Sequence, residues 1–184
     1  DLLRRNDVHE DIYVRPLVIN NSNLLAPVLR EEDSSFICYC MPLKRYIDKD
    51  AIDVCVSSWR RVRDNAIPSR TKPTGGYLNS ALARREAMDN GFDEAIFLTE
   101  DGVVSEGSAE HVFLVRRGVV YSPPSTKDNL DGITRRSLIE MVTEDLGLSF
   151  VERDIGRTEL YVADELFLCG TGAQVTPVRS VDRR

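Results

Sequence analysis

Apolar and polar residues alternate along much of the chain in patterns that predict short strands. In residues 11–19 a period of two places Tyr13 and Arg15 on one face and their apolar neighbours on the other. Further strand candidates share this apolar character, namely residues 34–40, 51–58, 95–98, 103–104, 111–115, 119–121, 148–153 and 166–169. Glycines at 102 and 118 predict tight turns, so the strands around them are expected to form one meander.

Two segments have helical spacing. Residues 78–90 place small and apolar residues on one side, and Gly91 stands where a helix commonly ends. A second helix is predicted to follow Gly132 and to run through Leu146, with Gly147 as its stop. Helices inserted between strands, without internal repeats, predict a mixed α+β fold.

Composition limits the function classes. The 184 residues suit one domain with a sizeable core, and a net charge of −6 argues against a general nucleic-acid binder. Residues 59–71, rich in arginine, are expected to be a loop. Other arginines also stand in pairs among acids and are expected mostly on solvated faces, at 4/5, 60/61, 84/85, 116/117 and 135/136. No membrane span or signal peptide is visible, so we expect no membrane association and a cytoplasmic location.

Cysteine spacing and the start of the chain add two expectations. The four cysteines lack CxxC spacing and a nearby histidine pair, so no metal site is expected and reduced thiols fit best. The chain begins Asp-Leu-Leu-Arg-Arg-Asn, without methionine, like the last turns of a helix. We therefore expect a fragment that lacks an N-terminal part.

Lys72 is the first candidate for chemistry. It precedes Gly75, Gly76 and Tyr77 and the first predicted helix. A lysine amine attacks carbonyl carbons when its surroundings lower its pKa. A single loop lysine is more often a solvated charge, so this position alone does not decide the question.

Two other glycine loops and one acid are further candidates. In residues 131–134, backbone N–H groups at a helix start and the Thr134 hydroxyl suit an anion, and Thr171 offers a similar hydroxyl beside Gly172. Each loop can equally be a capped turn. Glu106, flanked by small residues, is either a cleft carboxylate or a turn residue, and Tyr13, Arg15 and Tyr46 are polar groups suited to a small anionic substrate.

Taken in order, these motifs resemble the class IV pyridoxal-phosphate aminotransferases over essentially the whole chain. The Tyr-Val-Arg-Pro-Leu run at 13–17 is similar to the branched-chain amino acid aminotransferases. The other motifs are Lys72-x-x-Gly-Gly-Tyr-Leu-Asn-Ser, Ser105-Glu-Gly-Ser-x-Glu-x-Val-Phe, Asp131-Gly-Ile-Thr-Arg, Glu159-Leu-Tyr-x-Ala-Asp-Glu-x-Phe and Gly170-Thr-Gly-Ala-Gln-Val-Thr-Pro.

The resemblance implies a role for each candidate residue. Lys72 would bond to pyridoxal 5'-phosphate and then move the substrate proton, Tyr77 would hydrogen-bond the cofactor's O3′, and Glu106 would keep its ring nitrogen protonated. The phosphate would be bound by Ile133, Thr134 and Thr171. The amides of Thr171 and Gly172 would receive the substrate carboxylate, with the substrate side lined by Tyr13, Arg15 and Tyr46.

The resemblance also implies a fold, a reaction and an assembly. Residues 51–184 would be the C-terminal cofactor-binding domain of the D-amino acid/branched-chain aminotransferase-like fold, residues 41–50 an interdomain connection, and residues 1–40 a remnant of a mostly missing N-terminal α/β domain. The reaction would move an amino group from leucine, isoleucine or valine to 2-oxoglutarate, on a homodimer or higher homo-oligomer.

Several alternatives remain open. D-amino acid aminotransferases, (R)-amine transaminases and aminodeoxychorismate lyases share the lysine and the glutamate, and a non-catalytic ligand-binding fragment would keep the same fold. The chain departs from the usual family pattern at three places, where Asp131 replaces proline, Gly76 replaces asparagine, and Leu43 replaces a large aromatic residue before Tyr46. The last departure concerns the substrate pocket.

Overall fold

The chain divides into two compact units in a computed structural model that describes residues 1–43 and 46–184. The units are Asp1–Tyr46 and Ile47–Arg184. None of the helices in these described ranges combines the length and the apolar character that a membrane span requires.

The first unit contains a short helix and one antiparallel strand pair. These elements are α1 (Leu2–Arg5), β1 (Tyr13–Asn20) and β2 (Ser34–Met41). The guanidinium carbon of Arg15 lies 5.2 Å from the centre of the Tyr13 ring. The predicted alternation in β1, with these two side chains on one face, is therefore confirmed.

The second unit is built on a mixed sheet of eight strands, in the order β5-β4-β3-β10-β9-β6-β7-β8. The strands are β3 (Ile52–Arg60), β4 (Glu94–Leu98), β5 (Val104–Gly107), β6 (His111–Arg116), β7 (Val119–Ser122), β8 (Ser149–Glu152), β9 (Glu165–Gly170) and β10 (Gln174–Val181). The helices are α2 (Tyr77–Asp89) and α3 (Ile133–Glu140), with short 3₁₀ turns at Ser69–Thr71, Thr74–Gly76 and Arg157–Tyr161. The predicted α+β class is confirmed.

The predicted meander is wrong, although its turns are right. Gly102 and Gly118 have positive φ, at 84° and 75°, and they close the antiparallel pairs β4–β5 and β6–β7. Three strands, β3, β10 and β9, nevertheless lie between β4 and β6 in the sheet. The pairing of β10 with β3 joins residues more than a hundred positions apart, which a local apolar pattern does not reveal.

Helix α2 packs on the sheet through small side chains. Ala83 and Ala87 are fully buried, whereas Leu78 is 68% exposed, so the two alanines rather than Leu78 face the core. Small residues let the helix lie close to β3 and β4, where they contact a cluster made of Cys55, Ala95 and Phe97. The helix ends before Gly91, whose φ of 77° confirms the predicted stop.

The region after Gly132 is helical nearly as far as predicted. It is α-helical from Ile133 to Glu140 and continues as a π-helical turn, Met141–Asp145. Gly147, with φ of 63°, ends it as predicted. The main core of the unit is formed by aliphatic residues of the sheet strands and of the segment between β8 and β9, including Ile52, Val54, Ile96, Val104, Leu114, Ile155 and Leu168.

Candidate functional site

A cleft in the second unit brings four reactive side chains together: Lys72, Tyr77, Glu106 and His111. Counting the space at its open mouth, the cleft encloses about 460 Å³. Its lining is completed by backbone and side chains from the segments before α2, from β5 and from the loop before α3. Two residues that the sequence motifs placed in separate runs, Lys72 and Glu106, thus share one site.

Lys72 is held in an unusual backbone conformation. Its φ and ψ of 52° and 48° are left-handed, which costs a residue with a Cβ about 1–2 kcal/mol. The side chain is exposed, and Nζ donates a hydrogen bond to Tyr77 Oη at 2.8 Å. Because Tyr77 is the first residue of α2, the helix fixes the phenol and the phenol fixes the amine.

The segment before Lys72 is anchored by hydrogen bonds. Asp64 Oδ1 accepts from the Ser69 amide and hydroxyl at 3.0 and 2.9 Å, and the Ser69 hydroxyl is the main reason that the pKa of Asp64 is lowered. At the other end, Asn79 of α2 accepts from the Val62 amide at 3.1 Å and donates to the Arg60 carbonyl at 3.0 Å. These contacts hold the lysine loop against the helix.

Glu106 is a buried carboxyl within β5. It is 5% exposed, Oε1 is 2.8 Å from Arg61 Nη2, and Oε2 accepts a hydrogen bond from the Leu130 amide at 3.2 Å. Burial raises the pKa of Glu106, and the Arg61 guanidinium and the Leu130 N–H oppose that rise. Its place inside a strand, opposite a charged partner, favours the cleft carboxylate over the alternative of a turn residue.

The expectation of a solvated face is wrong for Arg61. Its side chain is 11% exposed, it pairs with Glu106, and its guanidinium carbon lies 5.4 Å from the centre of the Phe97 ring. Arg135 was misassigned in the same way, since it is 4% exposed and donates to Glu152 at 2.6 Å. The predicted loop also begins later than expected, because β3 extends through Arg60.

His111 is the functional candidate that sequence reasoning missed, since it fills an undefined position of the Glu106 motif. It begins β6, is 6% exposed, and places Nδ1 4.0 Å from Glu106 Oε2. Burial, with added effects from the charges of Arg135 and Lys72, lowers the pKa of His111 to about 4. The imidazole is therefore neutral at neutral pH.

The loop predicted to bind phosphate, residues 131–134, lies next to the His111 ring. Helix α3 begins at Ile133, and no side chain caps it, so its first N–H groups remain available. Thr134 is half-buried and Ile133 is 73% exposed. Gly132 touches the His111 ring, although neither Ile133 nor Thr134 lines the cleft itself.

Thr171 and Gly172 do not line the cleft. Thr171 is exposed and Gly172 half-buried, in the turn between β9 and β10, and their neighbour Gly170 approaches the Ala109 carbonyl at the cleft wall. The assignments of Thr171 and Gly172 stay predictions. The substrate-side assignment also stays a prediction for the three residues of the first unit, Tyr13, Arg15 and Tyr46.

Comparison with known proteins gives consistent matches along the whole chain. The family model described as amino-transferase class IV matches residues 1–181. The chain is 43% identical over its full length to a probable branched-chain-amino-acid aminotransferase of Aquifex aeolicus, and 38% identical over 99% of its length to the branched-chain-amino-acid aminotransferase of Escherichia coli K12. It spans about 60% of the length of each of these relatives.

Solved structures show the same similarity. The crystal structure of a branched-chain aminotransferase from Thermoproteus uzoniensis with norvaline matches 99% of this chain with a TM-score of 0.94 and 41% identity, over 61% of its own length. The PLP-form of the Thermobaculum terrenum enzyme matches 99% with a TM-score of 0.93 and 40% identity, over 60% of its own length.

Proposed function

Because the chain belongs to the class IV aminotransferase family, we propose that the protein uses pyridoxal phosphate to move the amino group of leucine, isoleucine or valine to 2-oxoglutarate. The observation that supports this most directly is the pairing, in one cleft, of a tyrosine-bound lysine amine with a buried carboxyl. The relatives named as branched-chain aminotransferases support the substrate class.

The chemistry of the cleft residues fits this cofactor. An amine at Lys72 suits the cofactor's aldehyde carbon, and the buried Glu106 carboxyl suits its ring nitrogen. The uncapped start of α3 offers N–H groups to a phosphate. When bound, pyridoxal phosphate supplies an electron-accepting ring that stabilises negative charge on the substrate carbon.

Three residues would act directly on the cofactor and on the substrate's α-proton. Lys72 Nζ would hold the cofactor covalently and would later move the proton from the substrate's α-carbon to the C4′ carbon of the cofactor. Tyr77 Oη, 2.8 Å from Nζ, would orient the amine and share its proton. Glu106 would hold a proton at the ring nitrogen, because its carboxylate would stabilise the positive charge of the protonated nitrogen.

Two further groups would bind the anionic ends of cofactor and substrate. The amides of Ile133 and Thr134 and the Thr171 hydroxyl would bind the phosphate. The amides of Thr171 and Gly172 would receive the substrate carboxylate, with the substrate side lined by Tyr13, Arg15 and Tyr46.

We also propose a domain division and an assembly. Residues 51–184 would form the cofactor-binding domain, residues 41–50 the connection, and residues 1–40 part of a substrate domain. The division of contacts between Tyr46 and Ile47 supports a boundary inside that connection. The whole protein would act as a homodimer or a higher homo-oligomer.

Borohydride reduction tests the chemistry. The complete protein, loaded with pyridoxal phosphate, is reduced and digested, and mass spectrometry is expected to find a pyridoxyl group on the Lys72 peptide. The Lys127 peptide serves as the internal control, because that amine is bound to Asp154 at 2.8 Å and lies outside the cleft. A protein without label on Lys72 would not be an enzyme of this kind.

Substrate choice needs a separate assay. Turnover of L-leucine against D-alanine, each with 2-oxoglutarate as acceptor, separates the proposed reaction from those of D-amino acid aminotransferases. We expect L-leucine to react and D-alanine to be inert. Strict preference for D-alanine would contradict the proposed substrate class while leaving the cofactor chemistry intact.

A further inference from the structure

His111 lies between two parts of the proposed cofactor site. Its backbone is fixed at the start of β6, where it stands opposite Cys169 of β9. The side chain is 7% exposed, and Nδ1 is 4.0 Å from Glu106 Oε2. On the other side the ring contacts Gly132, the residue immediately before α3. One rigid side chain thus touches the phosphate loop and stands beside the acid.

The contact with Gly132 explains why that position has no side chain. A Cβ built on Gly132 would lie 2.1 Å from His111 Nε2 and 2.8 Å from Cδ2, closer than real Cβ atoms approach other heavy atoms. Its φ and ψ of −79° and 138° are open to any L-residue, so the backbone conformation does not require glycine. Glycine is required at this position because the His111 imidazole occupies the space that a Cβ would need.

We propose that His111 is a positioning residue that sets the distance between Glu106 and the phosphate-binding start of α3 by packing its ring on Gly132. This inference rests on the proposed function. The cofactor's ring is rigid, with its nitrogen and its phosphate arm attached at different positions. The groups that bind these two ends must therefore be held at a fixed separation. Glu106 contacts the backbone before α3 through the Leu130 amide, and His111 contacts it through Gly132, immediately before the helix.

The neutral charge state of His111 is consistent with its role as a positioning residue. Burial lowers its pKa to about 4, helped by the positive charges of Arg135 and Lys72 and opposed by Asp131. A protonated His111 ring would place a positive charge beside Glu106, where it would compete with Arg61 for that carboxylate. The neutral ring provides volume without charge, so its effect on ligand binding should not vary with pH in the neutral range.

A double-mutant cycle tests the packing. Binding of inorganic phosphate to the complete apoprotein is measured by calorimetry for the parent, Gly132→Ala, His111→Ala and the double variant. Gly132→Ala is expected to weaken phosphate binding by about tenfold or more in the parent, because small displacements of a binding group are costly. In the His111→Ala background the added methyl group has space, so Gly132→Ala should weaken phosphate binding by less than about twofold.

Gly156→Ala is the matched control. Gly156 also precedes a helical turn, has similar φ and ψ of −74° and 150°, and its nearest obstacle is Glu159 Oε1 at 3.7 Å. Phosphate binding should be unchanged in this variant. Equal losses from Gly132→Ala in both backgrounds, or no loss in the parent, would overturn the inference.

A second variant covers failure of Gly132→Ala to fold. His111→Asn keeps a neutral polar side chain with less volume, and it should weaken phosphate binding to a similar degree at about pH 6 and about pH 8. Unchanged binding would overturn the inference. Pyridoxyl labelling of Lys72 separates the two proposals. If Lys72 is labelled but the Gly132 and His111 substitutions act independently, only the role of His111 is refuted. If the two substitutions are coupled but Lys72 is not labelled, only the proposed enzyme chemistry is refuted.

Discussion

Replacing Arg61 by methionine would show how far the buried Glu106 carboxyl depends on its partner. Arg61 Nη2 lies 2.8 Å from Glu106 Oε1, and the two side chains are 11% and 7% exposed. Methionine keeps an unbranched apolar chain but removes the charge, which leaves the Leu130 amide as a donor to the carboxylate. Removing one partner of a buried ion pair typically costs about 3–5 kcal/mol of the free energy of unfolding, so we expect a loss in that range.

The loss should depend on pH in a defined direction. Burial already raises the pKa of Glu106, and removal of Arg61 should raise it further. A carboxyl whose folded-state pKa is raised stabilises the fold below its unfolded pKa, and that contribution is lost as pH rises through the folded pKa. The destabilisation by Arg61→Met should therefore be smallest near about pH 5 and grow toward about pH 8.

Urea denaturation of the complete apoprotein at both pH values measures this effect. Arg63→Met is the matched control, because Arg63 is 54% exposed and 4.0 Å from Asp101, and exposed pairs contribute about 0–1 kcal/mol. Adding Glu106→Gln to Arg61→Met should recover most of the loss at about pH 8, since no buried charge remains. Equal destabilisation at both pH values, without recovery in the double variant, would refute the assignment of a buried, charge-dependent pair.

Two further predictions concern the ring of the cofactor. Glu106→Gln should still yield a pyridoxyl group on Lys72 after borohydride, while turnover falls by about 10²–10⁴-fold, and near-normal turnover would show that the acid is misassigned. Tyr77→Phe removes the 2.8 Å hydrogen bond to Lys72 Nζ but keeps the ring. It should shift the pH at which the cofactor absorbance titrates by about one unit or less. If the variant and the parent titrate at the same pH, this hydrogen bond does not influence the pKa of the amine.

Local signals explain what could be predicted. Glycines at 91, 102, 118 and 147 adopt the positive φ that their positions indicated, and the strands with alternating apolar residues are found within a few positions of their predicted bounds. The class IV resemblance, confirmed by the family match, rested on short motifs of the same local kind. These features succeed because each is decided by neighbouring residues and their backbone preferences.

The sequence alone therefore determined the element types, the turns and the family. Only the tertiary structure decided the sheet order, the burial of Arg61 beside Glu106, and the place of His111 against Gly132. Each of these depends on contacts between residues far apart in the chain. An arginine or a histidine has the same local pattern whether it faces solvent or a buried carboxyl, and only packing distinguishes the two.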